Sequence, residues 1–169
     1  RRSIFGSRGN DRRNFNETCQ LNCIQMGIEI RTPQTEKEWE AYYDLRYRIL
    51  REPLDQPRGS ERNEDDATGE HYALYDNSIL KAIARLDHSG EGIAQVRFVA
   101  VEGNQQGRGY GRMIMEATEV NAKERGDAKM ILHARDYAVD FYLRLGYTRI
   151  EPSHKLFGVL QHYLMEKGL

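Results

Sequence analysis

No stretch of this 169-residue sequence stays apolar long enough to cross a bilayer as a helix. No apolar run follows the arginines at its basic start either, so a secretory signal is also missing. A soluble, cytoplasmic protein without a membrane partner is expected. Cysteine is scarce. The two present, Cys19 and Cys23, lack a companion pair of His or Cys at zinc-binding spacing, so no metal is expected. Past residue 25 there is no thiol, which excludes a cysteine nucleophile from the body of the chain. An excess of one charge is absent as well: 25 Lys and Arg stand against 26 Asp and Glu, a net charge of -1. Residues 1–25 hold five arginines against Asp11 and Glu17, a surplus of +3 that leaves -4 for the remainder. A mildly acidic body lacks the clustered cations of duplex binding, so no nucleic acid is expected. The arginines of 1–25 keep a nucleic-acid-binding arm open as an alternative. There are no internal repeats.

What is there suits one globular domain with its own core, at 39% hydrophobic and 30% charged residues. Residues 1–25 have no sustained periodicity and read as an N-terminal extension upstream of Met26, the expected natural start. The domain is then 26–169. Ile28–Arg31 reads as a strand, β1, and apolar spacing over 35–50 predicts a helix with Thr35 as N-cap. Residues 52–69 form a loop rich in Pro, Gly and acid. Strands β2 (71–75) and β3 (79–86) flank a tight turn at 76–78, and β4 covers Ile93–Val101. A helix over 109–125 carries the stripe Tyr110, Met113, Ile114 and Ala117, with Gly126 as its C-cap. Strand β5 (129–134), a helix (136–145) turning Ala138, Phe141, Tyr142 and Leu145 inward, and strands over 147–150 and 159–165 complete a mixed α/β order.

The segment that carries chemistry runs from Val99 to Arg112. A strand enters a short turn containing Gly107, Gly109 and Gly111, and a helix starts at once. Glycines there permit positive φ and a close ligand, while the free N–H groups and the helix dipole favour an anion. Arg108 and Arg112 can add charge-assisted bonds to phosphate. A phosphate loop of the G-x-x-x-x-G-K-[ST] type is excluded, because no Lys follows the last glycine. A dinucleotide fold would place its glycines after the first strand, whereas these follow about the fourth. The pattern Q-x-x-G-x-G, from Gln106 through Gly109 to Gly111, instead fits an acyl-CoA cradle.

With that turn and the downstream run Ala138-x-x-x-Tyr142-x-x-x-Gly146-Tyr147, the chain resembles the GNAT superfamily of N-acetyltransferases over residues 28–165. The resemblance implies a mixed α+β fold with a central, mostly antiparallel sheet of six to seven strands. It also implies a splay between β4 and β5 and about four flanking helices. Acetyl-CoA would be the co-substrate, its pantetheine arm pairing with the backbone of Val99 and Val101. Its diphosphate would sit on the amides of Gln106, Gly107, Arg108, Gly109, Tyr110, Gly111 and Arg112. The acceptor would be a primary amine of a small molecule or peptide, and the resemblance admits a homodimer.

Read alone, Tyr142 is a core tyrosine on an apolar stripe; the resemblance implies that it is the acid for the leaving thiolate. The histone-acetylating branch has a glutamate base on β4 where this chain has Gln95, which cannot take a proton. Glu102, His133 and His162 remain candidates, as does a solvent relay. The seven acids of residues 52–70 suggest an acidic rim that steers a cationic amine. A non-catalytic acyl-CoA sensor is the alternative that Gln95 leaves open.

Overall fold

The computed structural model describes residues 27–169, so the expectations about 1–25 and Met26 lie outside the described residues. Seven strands form one sheet: β1 Ile28–Arg31, β2 Glu70–Asp76, β3 Ile79–Gly90, β4 Ile93–Val101, β5 Lys129–Arg135, β6 Thr148–Leu156 and β7 Leu160–Gly168. Their spatial order is β1-β2-β3-β4-β5-β7-β6, antiparallel throughout except for the parallel pair β4–β5. Asn77 and Ser78 both take positive φ, 48° and 65°. That is the twist a two-residue hairpin loop needs, and it closes β2 onto β3.

Among the described residues there are three α-helices: α1 Glu36–Leu50, α2 Tyr110–Glu124 and α3 Val139–Arg144. The sequence implied about four. The shortfall lies in the segment after α1, which makes only 3-10 turns at Glu52–Leu54 and Glu64–Ala67. Thr35 caps α1 by accepting from the Glu38 amide at 3.2 Å. Glu38 in turn receives both ends of the Arg31 guanidinium, at 2.9 and 2.8 Å, tying the helix to β1. No helix among the described residues is long and apolar enough to cross a membrane.

The sheet separates two cores. On one face Tyr42, Leu45 and Leu50 of α1 pack on Ala73, Tyr75, Ile83 and Ala100, with Phe98 alongside. On the other, α2 and α3 pack on Val96, Met130 and Leu132, with Val99 and Val101 alongside. The buried row of α2 is Tyr110, Ile114, Thr118 and Ala122, flanked by Gly111 and Met115. It is a strict i, i+4 row, so the expected stripe members Met113 and Ala117 stand at its margin. The helix expected over 136–145 divides into a 3-10 turn, Asp136–Ala138, and α3. β6 runs well past the expected 147–150. It is an edge strand exposed over nearly its whole length, and there Pro152 costs no ladder bond.

Candidate active site

Strands β4 and β5 pair at only three rungs, Ile93 with Lys129, Ala94 with Met130 and Gln95 with Ile131. Beyond Gln95 they part. The cause lies on the other edge of β4, where Arg97 pairs with Arg85 and Ala100 with Ile83, so Phe98 and Val99 together oppose Ala84. This is a β-bulge, and Phe98 adopts φ 53°, rare for an aromatic residue. The bulge turns the end of β4 away from β5 and leaves the backbone edge of Val99 and Val101 without a strand partner among the described residues. A cavity of about 810 Å³ fills the resulting slot.

One end of the slot is the glycine turn. Gly107 and Gly109 have φ 80° and 88°, and nothing crowds the Cβ position of Gly107. At Gly111 a Cβ would meet the Phe141 ring at 3.1 Å and Val101 at 3.5 Å, so its absence lets α2 pack close to α3 and β4. The amides from Gln106 to Arg112 find no acceptor among the described residues, and no acid occupies the first turn of α2. A run of free donors at a helix start, unneutralised by any carboxylate, is chemically an anion site. The Gln106 side chain bonds the Val101 carbonyl at 3.4 Å, and the Tyr110 hydroxyl donates to Asp76, which fixes the start of α2.

Deeper in the slot stand Tyr142 and three histidines. Tyr142 is buried on α3; burial raises its pKa, so it remains a proton donor, and no hydrogen bond to the described residues occupies its hydroxyl. His133 on β5 has a buried Nδ1 with no partner. His162 on β7 places Nδ1 3.0 Å from the Leu160 carbonyl. A carbonyl only accepts, so Nδ1 carries the proton and the lone pair of the neutral ring lies on Nε2. His154 of β6 stacks on His162 with ring centroids 4.5 Å apart and approaches His133 at 5.3 Å. Burial lowers the pKa of both His133 and His162, with His154 adding to the effect, so both rings favour the neutral form. Gln95, at the last rung before the strands part, also faces the slot.

Residues 52–169 match the acetyltransferase (GNAT) domain. The chain belongs to the GNAT acetyltransferase family. Solved structures agree on the fold. A Lactobacillus plantarum protein assigned as an N-acetyltransferase is 23% identical with a TM-score of 0.74, over 85% of this chain and 99% of that one. An acyl-CoA N-acyltransferase from Pseudomonas aeruginosa is 22% identical with a TM-score of 0.69, over 83% and 97%. A Bacillus subtilis acetyltransferase solved in complex with CoA is 16% identical with a TM-score of 0.65, over 84% and 97%.

In this GNAT domain the slot brings together Val99, Val101, Gln106, Gly107, Gly109, Tyr110, Gly111, Arg112, His133, Tyr142 and His162. Arg108 and Glu102 are not on its wall. The Glu102 carboxylate is gripped by Arg48 at 2.8 and 2.9 Å, and that ion pair holds its pKa below the ordinary carboxylate value. None of the acids of the 52–70 loop lines the slot wall. Asp66 of the acidic loop turns inward to Arg46 at 2.8 Å and also to Arg85. The slot wall has no Asp or Glu, while Arg48, Arg51, Arg97, Arg112, Arg135 and Arg144 all line it. Apart from Arg112, those arginines and His154 are slot-lining residues that the sequence did not single out. They carry no local signal, since an isolated Arg in a helix end or strand reads as solvated surface. Among the described residues no group of three or more His, Cys, Asp or Glu is arranged to hold a metal.

Proposed function

We propose that this domain transfers the acetyl group of acetyl-CoA to a primary amine, by direct attack in a ternary complex. The observation that carries the reading is the unpaired edge of β4, in a slot lined both by the glycine turn, whose amides at Gln106–Arg112 are free, and by Tyr142, whose hydroxyl has no partner among the described residues. The amides and Arg112 would hold the diphosphate, and the backbone of Val99 and Val101 would pair with the pantetheine arm. The amine nitrogen forms its new bond to the thioester carbonyl carbon as the carbon–sulfur bond breaks. Tyr142 gives its proton to the departing sulfur, and His162 Nε2 accepts the proton released by the amine. His133 is the second candidate for that base. Glu102 is the poorest of the three, because Arg48 holds it as a paired carboxylate away from the slot.

Calorimetry with CoA, followed by thiol release from acetyl-CoA with a panel of amines, tests this. Tyr142→Phe should slow turnover by roughly 100-fold, the low end of a general-acid contribution, while CoA affinity stays the same. No heat with CoA or acetyl-CoA would remove the function altogether. Gln95, an amide at the apex where a base could stand, supports a second reading, a non-catalytic acyl-CoA sensor. CoA binding without thiol release for any amine would favour it.

A further inference from the structure

Phe98 sits among cations. The guanidinium carbons of Arg46, Arg85, Arg97 and Arg51 lie 3.3, 4.9, 5.3 and 5.7 Å from its ring centroid. The two buried members are compensated: Arg46 by Asp66, and Arg85 by Asp66 and by both oxygens of Asp87 at 2.8 and 2.7 Å. The members that reach the slot are compensated less or not at all. Arg51 bonds only carbonyl oxygens, those of Ser60 at 3.0 Å and Leu50 at 3.1 Å. Arg135 bonds the Leu50 carbonyl and the Tyr137 hydroxyl, both at 2.8 Å. Arg97 has only Asp65 at 3.4 Å and Asp87 at 3.9 Å, and remains partly exposed. Neutral acceptors hold the planes of Arg51 and Arg135 in place without cancelling their charge, which is pre-organisation for an anion. Burial and the nearby Arg135, Arg46 and Arg97 depress the pKa of Arg51, outweighing the opposite pull of Glu61.

The position of this set separates it from the diphosphate site. Phe98, which Arg51 and Arg97 flank, packs in the α1 core, whereas Val99, Val101 and the start of α2 belong to the opposite core. A donor lying along the glycine turn occupies the α2 face, so an amine meeting its thioester comes from the α1 face, past these arginines. Resting on the function proposed above, we propose that the acceptor amine also carries an oxyanion, a carboxylate or a phosphate, held by Arg51, Arg97 and Arg135.

Matched pairs of amines decide the matter: an α-amino acid against its primary amide, and phosphoethanolamine against ethanolamine. Each is titrated calorimetrically into CoA-loaded protein, and each is assayed for thiol release from acetyl-CoA. One anionic member should exceed its neutral-bodied partner by roughly ten-fold in affinity and in kcat/KM, the scale of one charge-assisted bond. Which pair responds separates carboxylate from phosphate. Arg97→Gln and Arg135→Gln should each reduce the preference to a few-fold, with CoA affinity unchanged, and Arg97→Lys should restore part of it. Equal or better use of the uncharged-tail amines overturns the inference and leaves the acetyltransferase reading intact. So does CoA-loaded protein that binds neither member of either pair, or a preference that survives both Gln variants. If CoA itself gives no heat, both proposals fall.

Discussion

The two ends of the slot are made from different material. The turn end is one continuous segment, Gln106–Arg112, and it offers backbone N–H groups. The far end is made of side chains from four strands and the end of a helix: Arg51 just past α1, Arg97 on β4, His133 and Arg135 on β5, and His154 and His162 on β6 and β7. Backbone donors are indifferent to most side chains but need particular φ values, so that end is specified by glycine. Side-chain donors can be exchanged one at a time without disturbing the fold. Within one architecture, then, the first end is suited to a constant ligand and the second to one that can change.

Removing Asp66 should separate the two ends most sharply, because the far end rests on a buried ion cluster and the turn end does not. Asp66→Asn leaves Arg46, which is fully buried, and Arg85 without their shared carboxylate, and should cost about 3 kcal/mol in urea unfolding. Burial pushes the Asp66 carboxyl up, but hydrogen bonds from Arg46, the Asn63 amide and Arg85 outweigh it and hold its pKa below the ordinary value. The stability it contributes is therefore full above about pH 4 and is lost as the pH falls through its folded-state pKa, so the variant and parent curves should converge in acid. A constant gap down to the lowest pH would contradict the assignment.

At the turn end, Gly109→Val places a β-branched residue at φ 88°. The strain of about 1–3 kcal/mol should appear mainly as CoA binding weakened roughly ten-fold, because the turn can relax only by re-aiming its amides. Unchanged CoA affinity would mean that those amides do not bind the diphosphate. The smallest effect is a pH displacement. His162 must be neutral to accept a proton, and its lowered pKa keeps it so below the usual imidazole midpoint near 6.5. At pH 6.5 kcat/KM should therefore keep more than about half of its plateau value, and the acid limb should vanish in His162→Gln. A limb centred above pH 7 would assign the proton to another group.

The same contrast explains what the sequence revealed. The Gln106-x-x-Gly109-x-Gly111 spacing located the turn because its chemistry is local, and the hairpin at Asn77-Ser78 was legible for the same reason. The end of the slot lined by arginine was not legible, since Arg51, Arg97 and Arg135 converge only after β5 has returned beside β4. The acidic loop was only partly legible for a related reason: a run of acids does not reveal which of them, like Asp66, turns inward. β6 was read short because a strand exposed on both faces shows no alternation and Pro152 resembles a stop. The bulge had no sequence signal either, since its positive-φ position holds Phe98 instead of glycine.

That bulge has a consequence for how readily such a slot could be gained or lost. Val96 and Val99 face one core, and Phe98 and Ala100 the other. Phe98 is thus an inserted residue that leaves the in–out phase of β4 untouched on either side. A chain shortened by that one residue would keep its remaining β4 side chains on their present faces and lose the bulge that accompanies the parting from β5. The difference between a container and a more nearly closed sheet is then the size of a single codon.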